Sequence, residues 1–157
     1  MNTPEAVFFD RYRPEDLSDI FSFLSAEEMG ELLPYLELRE WQPAESVIKS
    51  GDSADFMGFL VEGSLAVKME GIFPDKFILL ALLERGSLVG EISVVAGGHR
   101  QATVVAMEKS SLLILTQENL ELLLSRTPAL GLKIFRRIIQ VLGQRLGKAS
   151  DRLSRLL

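Results

Sequence analysis

The sequence predicts an α+β fold that is mainly β: a double-stranded β-helix or jelly-roll β-roll, flanked by an N-terminal helix and C-terminal helices. Three observations carry this. Short apolar segments between Ser46 and Thr116 are separated by turn residues at close intervals, the pattern of an antiparallel sandwich or roll. Apolar residues at helical spacing precede this block and dominate the segment after it. A glycine-led turn of helical composition, Gly90 to Ala96, interrupts the strands. With 157 residues and an apolar fraction of 47%, the chain supports one domain with a sizeable core.

The first helix begins at Ser25-Ala26-Glu27-Glu28. This is capping-box spacing, in which Ser25 bonds a free N–H and Glu28 reaches back. Met29, Leu32, Leu33 and Leu36 follow at helical spacing, so a helix is predicted over 25–36, with a break or kink at Pro34. Strands are predicted over 46–49, 58–61, 64–68, 77–83, 101–107 and 110–116. Their boundaries are turn residues such as Gly51-Asp52, Gly63-Ser64, Pro74-Asp75 and Glu84-Arg85-Gly86. Residues 117–125 read as a short helix. Thr127-Pro128 then opens a long one, with Thr as cap and Pro in the first turn, running to Leu157. Along it Phe135, Ile139, Leu142, Leu146, Ala149, Leu153 and Leu156 alternate spacings of four and three, an a/d seam that calls for a partner helix. Gly143 and Gly147 beside the seam permit close backbone approach. The chain thus divides into an N-terminal helical or extended segment (1–24), the roll (25–126) and the long C-terminal helix (127–157), which serves as lid, dimerisation element or both.

Composition removes several function classes. Met1 to Arg13 carries Glu5, Asp10, Arg11 and Arg13 around the short apolar patch 6–9, unlike the basic start and long apolar region of a secretory signal. No apolar run has the length of a membrane span, and a cytoplasmic protein is expected. Without cysteine there are no disulfides, thiolate nucleophiles or cysteine-ligated clusters. His99 is the single histidine and reads as a loop residue; it cannot by itself build the several-His site of a cupin-like metalloenzyme. Neither Ser87 nor Ser93 has a base placed to activate it. No catalytic residue, no metal ligand and no cofactor is expected.

Charge is uneven. From Thr127 onward Lys133, Arg136, Arg137, Arg145, Lys148, Arg152 and Arg155 stand against Asp151, so the tail is basic within a chain of net charge -5. Such a helix either presents a solvated face that complements an acidic body or contacts an acidic partner, membrane surface or nucleic acid.

The most informative segment is 86–104, Gly-Ser-Leu-Val-Gly-Glu-Ile-Ser-Val-Val-Ala-Gly-Gly-His-Arg-Gln-Ala-Thr-Val. A helix start led by Gly90 offers unpaired N–H groups to an anion, and Arg100 adds a forked, charge-assisted contact. Glu91 cannot bind a phosphate, but as an acceptor-only carboxylate it suits a sugar hydroxyl. The segment interrupts the strands, so its ligand should sit inside the roll against apolar side chains such as Val104.

The segment closely resembles the phosphate-binding cassette of cyclic nucleotide-binding domains, in which a Gly-Glu pair opens a short helix and Arg-x-Ala follows. Here these are Gly90-Glu91 and Arg100-Gln101-Ala102. Upstream, 51–55 and 59–64 are similar to the strand-turn-strand pattern preceding the cassette, and the likeness runs from about Leu17 to the C-terminus. The resemblance implies cAMP or cGMP as ligand, with Gly90, Glu91, Ile92, Ser93, Arg100, Gln101, Ala102 and Val104 as the binding residues and the backbone N–H groups of Ser93 and Gln101 as donors. It further implies a parallel homodimer through the last helix, an effector protein as possible partner, and a shift of Ile92 and Val95 against the helix near Leu120. Some positions depart from the family pattern: His99 for a frequent Pro, Ala44 for a common Gly, Leu120 for a common Phe. Gln101 is neither the Ala usual in cAMP-selective kinase domains nor the Thr usual in cGMP-selective ones, which leaves the nucleotide open. A free-standing sensor domain is expected. The alternatives are a degenerate domain serving protein-protein interaction, or a fragment of a transcription regulator without its helix-turn-helix; residues 1–157 are expected to make no sequence-specific DNA contact.

Overall fold

In the computed structural model, which describes residues 10–157, the strands are β1 (Leu36–Trp41), β2 (Ser46–Ile48), β3 (Phe56–Glu62), β4 (Leu65–Glu70), β5 (Phe77–Leu83), β6 (Leu88–Val89), β7 (Thr103–Ala106) and β8 (Ser110–Thr116). The helices are α1 (Ala26–Leu32), α2 (Glu91–Ala96), α3 (Gln117–Arg126) and α4 (Pro128–Leu156). The apolar patch 6–9 and most of the predicted signal-free start lie outside the described residues. Two antiparallel four-stranded sheets, β1-β8-β3-β6 and β2-β7-β4-β5, make the roll.

β3 and β8 are nearly continuous apolar runs because each is buried on both faces. Alternate side chains point opposite ways along a strand. Phe56 and Leu60 of β3, with Leu112 and Ile114 of β8, face a core shared with Val47, Leu65, Val89 and Val104 between the sheets. Met57, Phe59, Leu113 and Leu115 face a second core. That one holds the N-terminal residues Leu17, Ile20 and Phe21, the helical residues Met29, Leu120 and Leu123, and Leu130, Ile134 and Ile138 of α4. The two cores therefore share one pair of strands, and the helices clamp the outer face of the first sheet. Lys133 of α4 donates to Glu28 of α1 at 2.7 Å, and Arg137 lies over the Phe23 ring at 5.8 Å.

Several local expectations are corrected. Ser25 does form the capping box, accepting from the Glu28 N–H at 3.2 Å and donating its own to Glu28 at 2.9 Å. The expected break occurs at Pro34, so the helix does not reach Leu36: α1 stops at Leu32, a 3-10 turn covers Leu33–Tyr35, and Leu36 opens β1. That strand was hidden because Glu37, Arg39 and Glu40 interrupt its apolar pattern. β6 is two residues long and carries no period of its own. Thr127 stands at the N-cap of α4 without a side-chain cap bond; its hydroxyl donates instead to the Leu123 carbonyl at 3.0 Å and so finishes α3.

β5 is the outer strand of its sheet and leaves Phe77, Ile78, Leu79, Leu80 and Leu82 exposed. In the turn between β1 and β2, Ala44 holds φ at 70°, with its N–H bonded to the Ala106 carbonyl at 2.8 Å. A Cβ in this left-handed region costs about 1–2 kcal/mol. Ala44→Gly is expected to raise unfolding free energy by ~0.5–1 kcal/mol, after the entropic cost of glycine itself. Urea denaturation checks it, and an unchanged or lower midpoint would contradict the strain.

Candidate functional site

The site is assembled where β6 runs into α2. Leu88 and Val89 pair with Phe59 and Gly58 of β3, which fixes Gly90 next to the carbonyl of Phe56. Gly90 takes φ 74° as the cap of α2. A Cβ there would stand 2.7 Å from Arg100 Nη1 and 3.1 Å from the Phe56 oxygen. Glycine is thus required by conformation and by the packing of Arg100 against the backbone.

Arg100 is 5% exposed. Nη1 donates to the Gly90 carbonyl at 2.8 Å, Nη2 donates to the Phe56 carbonyl, and the guanidinium lies over the Phe56 ring at 5.0 Å. The Asp55 carboxylate is 3.9 Å away. Burial lowers the pKa of Arg100 from the usual arginine value, against the opposing pull of the Asp55 and Glu91 carboxylates. The cation bridges the start of α2 to β3.

Glu91 opens α2 and is 2% exposed. It accepts a bond from Arg145 of α4, whose other terminal nitrogen donates to the Leu88 carbonyl at 2.7 Å. The sequence pattern places Arg145 on the basic face of the last helix and does not bring it to the site. Its 54-residue separation from Glu91 leaves no local spacing to reveal the pair.

One cavity of about 140 Å³ gathers these groups. All eight residues singled out in the sequence line it: Gly90, Glu91, Ile92, Ser93, Arg100, Gln101, Ala102 and Val104. Arg145 and the apolar Ile48, Val67 and Leu83 complete the wall. Gln101 is exposed, while Ser93 and Ala102 are half-buried. His99 is exposed in its loop, bridged to Ser53. Ile92 and Val95, expected to shift against the helix near Leu120 when ligand binds, are both exposed, and Val94 is the α2 residue that shares a core with Leu120. Helical geometry explains the difference, since Glu91 and Val94, three apart, share the buried face. Among the described residues no group of His, Cys, Asp and Glu could hold a metal ion, and no helix is long and apolar enough to cross a membrane.

The profile of the cyclic nucleotide-binding domain family matches residues 38–127. The chain belongs to the cyclic nucleotide-binding domain family. It is 30% identical over 111 residues to the cyclic AMP receptor protein of Thermus thermophilus, covering 71% of this chain and 51% of that one. To cyclic nucleotide-gated channel alpha-4 of Mus musculus it is 31% identical over 115 residues, covering 69% of this chain and 19% of the channel. The crystal structure of a cyclic nucleotide-binding domain from Methylobacillus flagellatus superposes with a TM-score of 0.83 at 25% identity, over 92% of this chain and 84% of that one. The chain spans about half or less of the length of these two curated relatives. The cyclic nucleotide-binding domain is a regulatory ligand-binding unit, and the two-sheet roll with its clamping helices is its fold.

Removing Arg100 strips two carbonyls of their donor and opens a hole beside Phe56. Arg100→Ala is therefore expected to destabilise the domain by ~2–4 kcal/mol even without ligand, read from the denaturation midpoint. A wild-type midpoint would show that these contacts contribute nothing to the fold.

Proposed function

We propose that the chain binds a cyclic nucleotide, cAMP or cGMP, in the cavity beside α2 and acts as an allosteric regulatory domain without a catalytic step. The observation that carries this reading is the convergence of Gly90, Glu91, Arg100 and the other five residues on one cavity in a member of this family. The phosphate is assigned to Arg100 with the N–H groups of Ser93 and Gln101, a ribose hydroxyl to Glu91, and the purine to Val104 with Ile48, Val67 and Leu83. Residues 25–126 are then the sensor and 127–157 the output element, with Tyr12, Leu17, Ile20 and Phe21 bracing the outer face. Ligand shifts the position of α4 only as far as it binds the two arrangements with different affinity.

Homodimerisation through α4 belongs to this reading. Leu132, Ile139, Leu146 and Leu153 recur every seventh residue and are all exposed, while Phe135 and Leu142 of the alternate row pack on the domain. The pair is read as parallel, and an effector protein is a further partner.

A second reading, a degenerate domain serving protein-protein contacts, draws support from Glu91 and Arg100, whose charges already have partners inside the chain. Titration calorimetry with cAMP and cGMP separates the two. Saturable binding of at least one nucleotide is expected, weakened about tenfold or more by Glu91→Gln. Absence of heat with both nucleotides would favour the degenerate domain.

For the dimer, Leu146 is the better probe than Leu142, because it is 69% exposed and makes no core contact that a charge would damage. Leu146→Glu is expected to convert a dimer to a monomer in analytical ultracentrifugation. A wild-type chain that sediments as a monomer with and without nucleotide would refute the pairing.

A further inference from the structure

Arg100 borders two cavities. One is the ligand cavity already described; the other, of about 150 Å³, is lined by Asp52, Asp55 and Phe56 as well as by Arg100. The Asp55 side chain is 77% exposed, with its carboxylate 3.9 Å from Arg100 Nη2. A guanidinium carries five N–H donors, and the carbonyls of Gly90 and Phe56 each take one. Neither carbonyl balances the charge. A carboxylate in contact would balance it, and would thereby use up donors and cancel the field that an anion needs. The Phe56 ring supports the cation in another way. Arg100 lies over that ring at 5.0 Å, where the quadrupole attracts positive charge without consuming an N–H. Phe56 is buried in the core between the sheets with Ile48 and Leu60, and Arg39 of β1, its own charge balanced by Glu37, lies over the same ring at 5.4 Å. The ring is therefore held by the core and not by the site.

We infer that Phe56 is a positioning residue for the anion site: its ring holds the guanidinium of Arg100 at the wall of the ligand cavity, charged and with donors to spare, against the pull of Asp55. Water screens the exposed Asp55 carboxylate, so the ring prevails while its face is electron-rich. With that face weakened the guanidinium leaves for the second cavity, where Asp55 and water take it over, and a ligand has to bring it back. The affinity of the site then falls in proportion to the fraction of molecules in which Arg100 is still in place. Two adjacent residues thus act on one cation in opposite directions. This inference rests on the proposed nucleotide assignment for the anion that enters, and on the Phe56 and Asp55 contacts alone for where Arg100 stands.

The test uses the whole chain with difluoro- or trifluorophenylalanine at position 56, which nearly keep the shape of the ring while withdrawing charge from its face. In titration with cAMP and cGMP the trifluoro ring is expected to weaken binding by about two- to thirtyfold, and the difluoro ring by less. Asp55→Asn in the trifluoro protein is expected to recover most of the loss. The second readout is NMR of the Arg100 side chain in ligand-free protein. A fluorinated ring still carries a ring current, so loss of the ring-current shift reports departure of the guanidinium; it is expected with the trifluoro ring and reversed by Asp55→Asn. A ring that only fills space leaves affinity and shift unchanged across the series, and that result would overturn the positioning role. A loss that Asp55→Asn fails to recover would overturn Asp55 as the competitor. The two readings fail separately. No nucleotide bound by the unmodified chain, with the Arg100 shift still lost on fluorination, overturns the nucleotide assignment and upholds Phe56 as the residue that places Arg100.

Discussion

The geometry of the site depends on a guanidinium held out of water. Arg100 has to direct its N–H groups at oxygens, and those within reach are the carbonyls of Gly90 and Phe56. From this follow the left-handed backbone at position 90, the absence of a side chain there, and the fixed angle at which α2 leaves β6. Phe56 completes the arrangement by offering its ring face to the cation and its other side to the core between the sheets. A charge that the fold itself requires thus stands at the wall of the cavity, where its remaining field is available to an anion.

The two acidic partners of the site are not equivalent. Asp55 is distant and its side chain is open to water, so solvent screens most of its attraction for Arg100. Glu91 is buried, and its negative charge is satisfied by a residue from the far end of the chain. The roll contributes the carboxylate and α4 the cation, which means that the position of α4 is set partly by electrostatics inside the cavity and only partly by the apolar contacts of Leu130, Ile134 and Ile138 nearer its start. The same helix therefore has a base packed on the outer core and, at Arg145, a polar anchor to the roll.

The cassette was legible because its chemistry is local. Gly90, Glu91 and Arg100 lie within eleven positions, and the family resemblance they carry extends them to eight residues, all of which line the cavity. The apolar runs of β3 and β8 were equally readable, although a single sequence could not tell that each serves two cores. Charged strands were harder: Glu37, Arg39 and Glu40 mask β1, whose place comes from pairing with β8 over six residues. Arg145 was missed for a different reason. Its role depends on where a 29-residue helix crosses the roll, and that crossing is decided by packing on the outer core. Ile92 and Val95 show the same limit, since their apolar character says that they can be buried but not against what.

The outer edge of β5 has a consequence for how the protein must be handled by the cell that makes it. From Phe77 to Leu83 there is no charge and no proline, the strand pairs only with β4 among the described strands, and its side chains are largely open to solvent. Such a segment is a template on which another extended chain can be laid down. Lys76 and Glu84 stand at its two ends as charged stops. At high concentration this edge is therefore where strand-against-strand association of copies is expected to begin.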